Sequence, residues 1–466
     1  MENQPAVYDE GQVSPAVYAA MIAVNERLAS RGCTTVTPEQ LLAELETYAQ
    51  ETGLSDADRE MGKNKLTQLW LQSTIDYAAT EPNGELKPAE AMPEPQPEGS
   101  PMAKTKTKKL QFTMERSDLE AAVKIVMQAV EKRSTIPILT GLRIRADKYT
   151  VEITGTDLEQ AITVRAKGKG EGEAVLAAQP IQAALKIKQA GELKVTPAEL
   201  TTGSKTMGMT EFGIDSWPEL PKWPAGDPQL VIEAKVLRDF ISRTAFAVSK
   251  EESRFTLNGV LFESTGERLH MIATDGHRMA LVWNEQKGGK FKKLIPIAAT
   301  KILAGMTNLS DTIAMWFGEE HLFFEGGGRV RLISRKLSGN FPDHERVMPK
   351  SFKFRAVLNT EEMRQALASV LPFCNELSHA VSLQFKKDAL TISTIGSDNR
   401  YTDTIHSDFQ TTSEVLGVNA DYMLDYFRMA PEAETAFTWN GIGNPMELSP
   451  LAGKTEYRYI VMPMRV

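Results

Sequence analysis

The sequence predicts an α+β chain made of three tandem copies of one domain, preceded by a small helical module and an extended linker. Three observations carry that reading. A short strand runs into an amphipathic helix at three places: LQFTMERSDLEAAVKIVMQAV from Leu110, LVIEAKVLRDFISRTAFAVSK from Leu230 and FRAVLNTEEMRQALASVLPF from Phe354. The openings are evenly spaced, with 120 positions from Phe112 to Ile232 and 124 from Ile232 to Ala356. Each opening is followed by the same series of elements, and each interval has the length of one ordinary domain. Tandem copies imply pseudo-symmetry, and pseudo-symmetry favours a closed assembly over a single pocket.

The elements follow in order. Residues 1–80 read as a helical module, with Ser14-Pro15 and Thr37-Pro38 as helix starts and a third helix from near Ser55. Its apolar residues Leu66, Leu69, Trp70 and Ile75 suit one buried helix face. Residues 81–108 are a linker, rich in Pro and Glu and then basic, with Met102 as a possible internal start. The repeats occupy 109–228, 229–352 and 353–466. After its strand and helix, each has an alternating strand: LTGLRIRA, LNGVLFES or HAVSLQFK. A second strand broken by a polar bend comes next: VEITGTDLEQAITV, LHMIATDGHRMALV or LTISTIGSDNRYTDTI. A second helix follows at 179–190, 297–307 and 419–430.

Composition narrows the function. The 466 residues are 42% hydrophobic and 24% charged, an ordinary soluble balance. No apolar run approaches the ~18 residues of a membrane helix. The first basic residue is Arg27, so no secretory leader is expected, and Cys33 and Cys374 fall in different domains, which fits a reducing cytoplasm. Through Pro101 there are 17 acidic and 6 basic residues, a net of −11, so the net charge of −8 leaves +3 for the body. An acidic appendage thus precedes a mildly basic array of domains.

No motif supplies catalysis. ATDGHR, residues 273–278, sets Asp275 near His277, but the equivalent bends GTDLEQ and GSDNRY keep the Asp without the His. A recurring turn Asp is explained by hydrogen bonds to the backbone. There is no nucleophile elbow, Walker loop, HExxH or cysteine cluster. GEGE and EGGGR read as hairpin turns. Basic residues recur on the predicted helices, among them Lys124, Arg238, Arg243, Lys301, Arg364 and Arg428. Singly each is a solvated helix residue; together they could face phosphates, with nothing to read bases.

Several longer segments occur together and in order: RSTIPIL from Arg133, TGTDLE from Thr154, LNGVLFE from Leu257, ATDGHRMA from Ala273, GNFPDHERVMP from Gly339 and YIVMPMRV from Tyr459. In these segments residues 110–466 resemble the bacterial sliding clamp, the beta subunit of DNA polymerase III. The first hundred residues have no such counterpart. The resemblance implies three clamp domains, with sheets outside and helices lining a central hole. It implies a head-to-tail homodimer that encircles double-stranded DNA without sequence preference. Such a ring is a cytoplasmic, replisome-associated processivity factor, not an enzyme, and needs no cofactor or metal. Its partners would be DNA polymerase and clamp loader subunits, bound through linear peptides, with no membrane.

The resemblance also assigns residues. A partner peptide would meet Leu257, Thr274, Gly276, His277, Arg278, Met279, Pro342, Arg346 and Val347 from the second repeat. From the third repeat it would meet Asn419, Tyr422, Ile460, Met462, Pro463, Met464 and Arg465. Arg278 and Arg465 would orient the peptide, and flexible methionines suit a site that accepts several sequences. Met279 replaces the family's usual Leu and His344 its usual Tyr, which implies an altered peptide preference. DNA would meet Arg133 and Arg254, and the dimer contact would use Met207, Pro372 and Phe373. The alternatives are a clamp-like peptide-binding adaptor that does not encircle DNA, or a hydrolase using Asp275 and His277.

Overall fold

The computed structural model describes residues 108–465, apart from the short segments 188–190, 397–398, 412–414 and 453–455. The predicted helical module at 1–80, nearly all of the linker and the possible start at Met102 lie outside the described residues.

The same succession of elements occurs three times. The first copy has β1 (Gln111–Glu115), α1 (Arg116–Val126), β2 (Gly141–Asp147), β3 (Thr150–Thr156), β4 (Gln160–Lys167), β5 (Lys169–Ala177) and α2 (Ala178–Leu185). It closes with β6 (Glu192–Val195), β7 (Glu199–Thr202), β8 (Lys205–Gly208) and the short extra strand β9 (Glu211–Phe212). The second copy has β10 (Leu230–Glu233), α3 (Ala234–Thr244), β11 (Gly259–Ser264), β12 (Arg268–Thr274), β13 (Arg278–Glu285), β14 (Phe291–Pro296) and α4 (Ile297–Met306). β15 (Thr312–Phe317), β16 (His321–Gly326) and β17 (Val330–Arg335) complete it. The third has β18 (Phe354–Asn359), α5 (Thr360–Val370), β19 (Ala380–Lys386), β20 (Ala389–Thr394), β21 (Thr402–His406), β22 (Val415–Asn419) and α6 (Ala420–Met429). It ends in β23 (Glu434–Trp439), β24 (Met446–Pro450) and β25 (Glu456–Val461).

Local chemistry sets these elements. In α3, Leu237, Phe240, Ile241 and Thr244 recur at helical spacing and are all buried. Asn359 caps α5 by accepting from the amides of Glu361 and Glu362, and Asn419 caps α6 by accepting from that of Tyr422. In each copy two helices pack together on one sheet face, and one apolar core runs beneath them through all three copies. A smaller cluster of Leu261, Ile272, Leu281 and Phe341 lies apart from that core.

Sheets cross the boundaries between copies. β4 of the first copy pairs antiparallel with β17 of the second, with Thr163 opposite Arg331. β13 of the second pairs likewise with β25 of the third, with Met279 opposite Ile460. Both joints therefore link the fourth strand of one copy to the eighth strand of the next. By that rule β21 and β8 are left over: β21 pairs only with β20, and β8 only with β7, among the described residues.

Four sequence expectations are corrected. The "broken" strands are pairs of antiparallel strands joined at the bend. The second helices are shorter than expected at both ends or at one. EGGGR is the predicted hairpin turn, with Gly327 and Gly328 at positive φ, but GEGE lies inside β5. Its glycines serve close approach: a Cβ on Gly170 would fall 2.3 Å from the Gln111 carbonyl of β1, and Gly172 has φ +96° where β5 passes from β1 to β2. Finally, Arg243 is no solvated helix residue. It is buried and ion-paired at 2.9 Å with both Asp239 and Glu432.

Candidate functional site

The bend between β12 and β13 is built by its own side chains. Asp275 Oδ1 accepts from the backbone amides of His277 at 2.9 Å and Arg278 at 3.0 Å. Thr274 Oγ1 donates to the Arg278 carbonyl and accepts from the Gly276 amide. Gly276 holds φ +89°, which its lack of a Cβ allows. The first copy repeats the device, with Asp157 Oδ1 accepting from the Gln160 amide and Thr156 Oγ1 donating to its carbonyl. Asp275 is therefore a turn residue, as its recurrence predicts.

The bend is also where the third copy arrives. β25 runs beside β13, and the Met462 amide donates to the His277 carbonyl at 2.9 Å. Two residues on, the Met464 amide donates to the Gly417 carbonyl. The chain end is thus stitched to both the second and third copies.

A cavity of about 140 Å³ opens between the bend, the 341–347 segment and the chain end. Its lining includes Leu257, Thr274, Gly276, Arg278, Met279, Pro342, Val347, Ile460 and Met462 from the expected set. Met279, Ile460 and Leu257 form a buried floor, whereas Val347 is 48% and Met462 40% exposed. A buried apolar floor with an open rim suits a hydrophobic side chain presented by a ligand. Phe341 and Asp343, which sequence reasoning left out, also line it, and so does His344, which that reasoning tied only to an altered peptide preference. The signal was present, since all three belong to the FPDH segment.

The rest of the expected set does not line the cavity. His277 stacks on Tyr422 at 6.4 Å between ring centres. Asn419 caps α6, Arg346 pairs with Asp343 at 2.9 Å, Pro463 and Met464 are half-buried, and Arg465 is exposed.

Arg278 requires a correction. Its guanidinium does not reach out to orient a ligand. It donates to Asp275 at 3.0 Å, Asp425 at 2.6 Å and the Phe246 carbonyl at 2.8 Å, and lies 4.4 Å over the Tyr422 ring. Burial works against its charge, but Tyr459, Asp425 and Asp275 outweigh burial and raise its pKa above the ordinary value. The residue holds the second and third copies together beneath the cavity. Burial also lowers the pKa of His344 at the rim, against Glu263, which raises it.

Arg254 lies against the same bend, donating to the Asp275 carbonyl at 3.0 Å and pairing with Glu251 at 2.9 Å. Arg133 is exposed in the segment after α1. Met207 lies on β8, while Pro372 and Phe373 lie in the turn after α5, where Phe373 stacks on Tyr401 beside β21 at 5.1 Å. The expected contact residues thus gather at the two left-over strands. Among the described residues no His, Cys, Asp and Glu group could hold a metal ion, and no helix is long and apolar enough to cross a membrane.

Comparison with known proteins places all three copies. Family models of the DNA polymerase III beta subunit match in order: the N-terminal domain at 110–211, the central domain at 231–343 and the C-terminal domain at 345–465. The beta sliding clamp of Pseudomonas putida is 25% identical over 370 residues, 77% of this chain and 100% of that protein. That of Staphylococcus aureus is 26% identical over 379 residues, 76% of this chain and 99% of its own. Among solved structures, the Thermotoga maritima beta subunit aligns with TM-score 0.70 at 22% identity, and the Bacillus subtilis DNA polymerase sliding clamp with 0.71 at 24%. Each covers 77% of this chain and 100% of the other.

Proposed function

The chain belongs to the DNA polymerase III beta subunit family, the bacterial sliding clamps, and on that premise we propose that two copies close head to tail around duplex DNA and hold their partners by short peptides. Its work is processivity in DNA replication, not catalysis. A ring retains DNA by topology, so it needs no tight local contact. Diffuse attraction to phosphates, nearly equal at every register, then lets it slide.

One observation supports closure above all. Each joint inside the chain pairs a fourth strand with the eighth strand of the next copy. Among the described residues, β21 of one protomer and β8 of its partner are the fourth and eighth strands that lack this pairing. A third joint of the same kind, made twice, uses every such edge and gives a heterologous contact that closes. Met207 and Phe373 would fill it. Arg133 and Arg254 are the proposed DNA contacts, and DNA polymerase and clamp loader subunits the proposed peptide donors.

Retention on DNA tests the reading. A closed ring loaded on a nicked circle stays bound through a salt wash and is lost once the circle is linearised. Equal loss from circular and linear DNA would overturn encirclement and leave a peptide-binding adaptor.

A further inference from the structure

The pseudo-symmetry of the two internal joints exposes a difference in chemistry. In the joint between the second and third copies, cross-strand pairing lays Leu261, Ile272, Leu281 and Arg458 in one row over β11, β12, β13 and β25. The equivalent row in the first joint, over β2, β3, β4 and β17, is Arg143, Thr154, Thr163 and Arg331. The apolar row is covered, with Phe341 packed on it. The polar row instead floors an open cleft of about 250 Å³ beneath Leu220, Pro221 and Trp223.

The cleft holds four guanidiniums, those of Arg143, Arg145, Arg165 and Arg331, against the carboxylates of Glu152 and Glu173. Arg143 pairs with Glu173 at 2.6 Å, Arg165 pairs with Glu152, and Arg331 pairs at 2.6 Å with Glu325. Arg145 is exposed and has no ion-pair partner among the described residues. Arg331 also lies 4.6 Å over the Trp223 ring, so the indole face is fixed at the cleft's edge. Planar forks beside a rigid indole match carboxylates next to an apolar or proline residue. The interleaved Glu152 and Glu173 would oppose a continuous phosphate backbone, while a peptide can place its carboxylates between them.

We infer that this cleft is a second docking site, taking a linear segment of a partner protein that carries adjacent carboxylates beside a proline or apolar residue. It does not depend on what fills the apolar cavity at the other joint.

The test uses the full chain and a short fluorescein-labelled peptide with two adjacent Glu residues flanked by Pro and Leu. Binding is read by anisotropy, with a Gln-for-Glu peptide as the control. The Glu peptide should bind at least about tenfold more tightly than the Gln peptide, the worth of one charge-assisted hydrogen bond. Arg145→Glu should abolish that preference and Arg145→Lys should weaken it. Arg145 is exposed and makes no ion pair among the described residues, so both variants should fold. Arg145→Glu does face Glu152 and Glu173 across the strands, and circular dichroism of each variant checks its fold. Removing residues 462–466 should leave this binding intact, which separates it from any peptide held in the apolar cavity. Equal binding of the two peptides, or an Arg145→Glu chain that still prefers Glu, would overturn the inference. Displacement of the peptide by short duplex DNA at equal charge would overturn it too, in favour of a phosphate site.

Discussion

Arg278 of the second copy and Asp425 of the third meet at 2.6 Å, with both side chains largely shielded from solvent. Asp275 and Tyr459 complete the shell, so the floor of the candidate cavity is also the joint between two domains. Arg278→Met should leave Asp275 without its cation and Asp425 with only the longer Arg428 contact at 3.5 Å. We expect a loss of about 2–4 kcal/mol in stability, read as a lower urea midpoint. An unchanged midpoint would mean that the network adds nothing to the joint.

Removing residues 462–466 takes Met462 from the rim of the cavity and the Met464 bond to Gly417. Binding of a labelled polymerase-tail peptide should fall at least about tenfold, since one buried apolar side chain is worth ~1.5–3 kcal/mol. The oligomeric state in solution should not change, because neither left-over strand is touched.

Phe373→Asp would place a charge beside β21, where Phe373 now stacks on Tyr401. Burying an uncompensated carboxylate in an apolar contact is costly. Sedimentation should therefore show protomers in place of dimers. A dimer of wild-type strength would put the contact elsewhere.

Peptide binding should weaken as pH falls. Burial lowers the pKa of His344 below its ordinary 6.5, Glu263, Glu345 and Asp343 act to raise it, and Lys292 acts to lower it. The imidazole is thus neutral at pH 7, and covering it with a peptide depresses its pKa further. Binding then releases protons, so affinity is full above the ordinary value and declines as pH drops through the lowered one. Stability linked to His344 has the same sign: present above pH 6.5 and lost on acidification. His344→Tyr should flatten the affinity profile between pH 7 and about pH 5. An equally steep profile in that variant would assign the effect to another group.

Much of this was legible in the sequence because it is periodic or local. The three copies announce themselves through hydrophobic spacing, and the role of Asp275 follows from its recurrence at bends without His. The residues that floor the cavity belong to the set that a family resemblance singles out. What escaped depends on distant partners. Arg243 and Arg278 read as available charges, yet Glu432 lies 189 positions from the first and Asp425 147 from the second. GEGE has the composition of a turn, but its glycines answer to β1, about sixty positions earlier. The cleft at the first joint was invisible for a related reason. Its arginines come from three strands, and only the register sets them in one patch.

The left-over strands also bear on how a lone protomer survives. An open strand edge invites any other edge to add to it, which is the usual start of aggregation. β21 carries Asp403 and β8 carries Lys205. Two β21 edges meeting would bring negative charge against negative, and two β8 edges positive against positive. Only the unlike edges meet without repulsion. In the proposed ring, the same two short strands would thus steer a lone protomer away from copies presented the wrong way round.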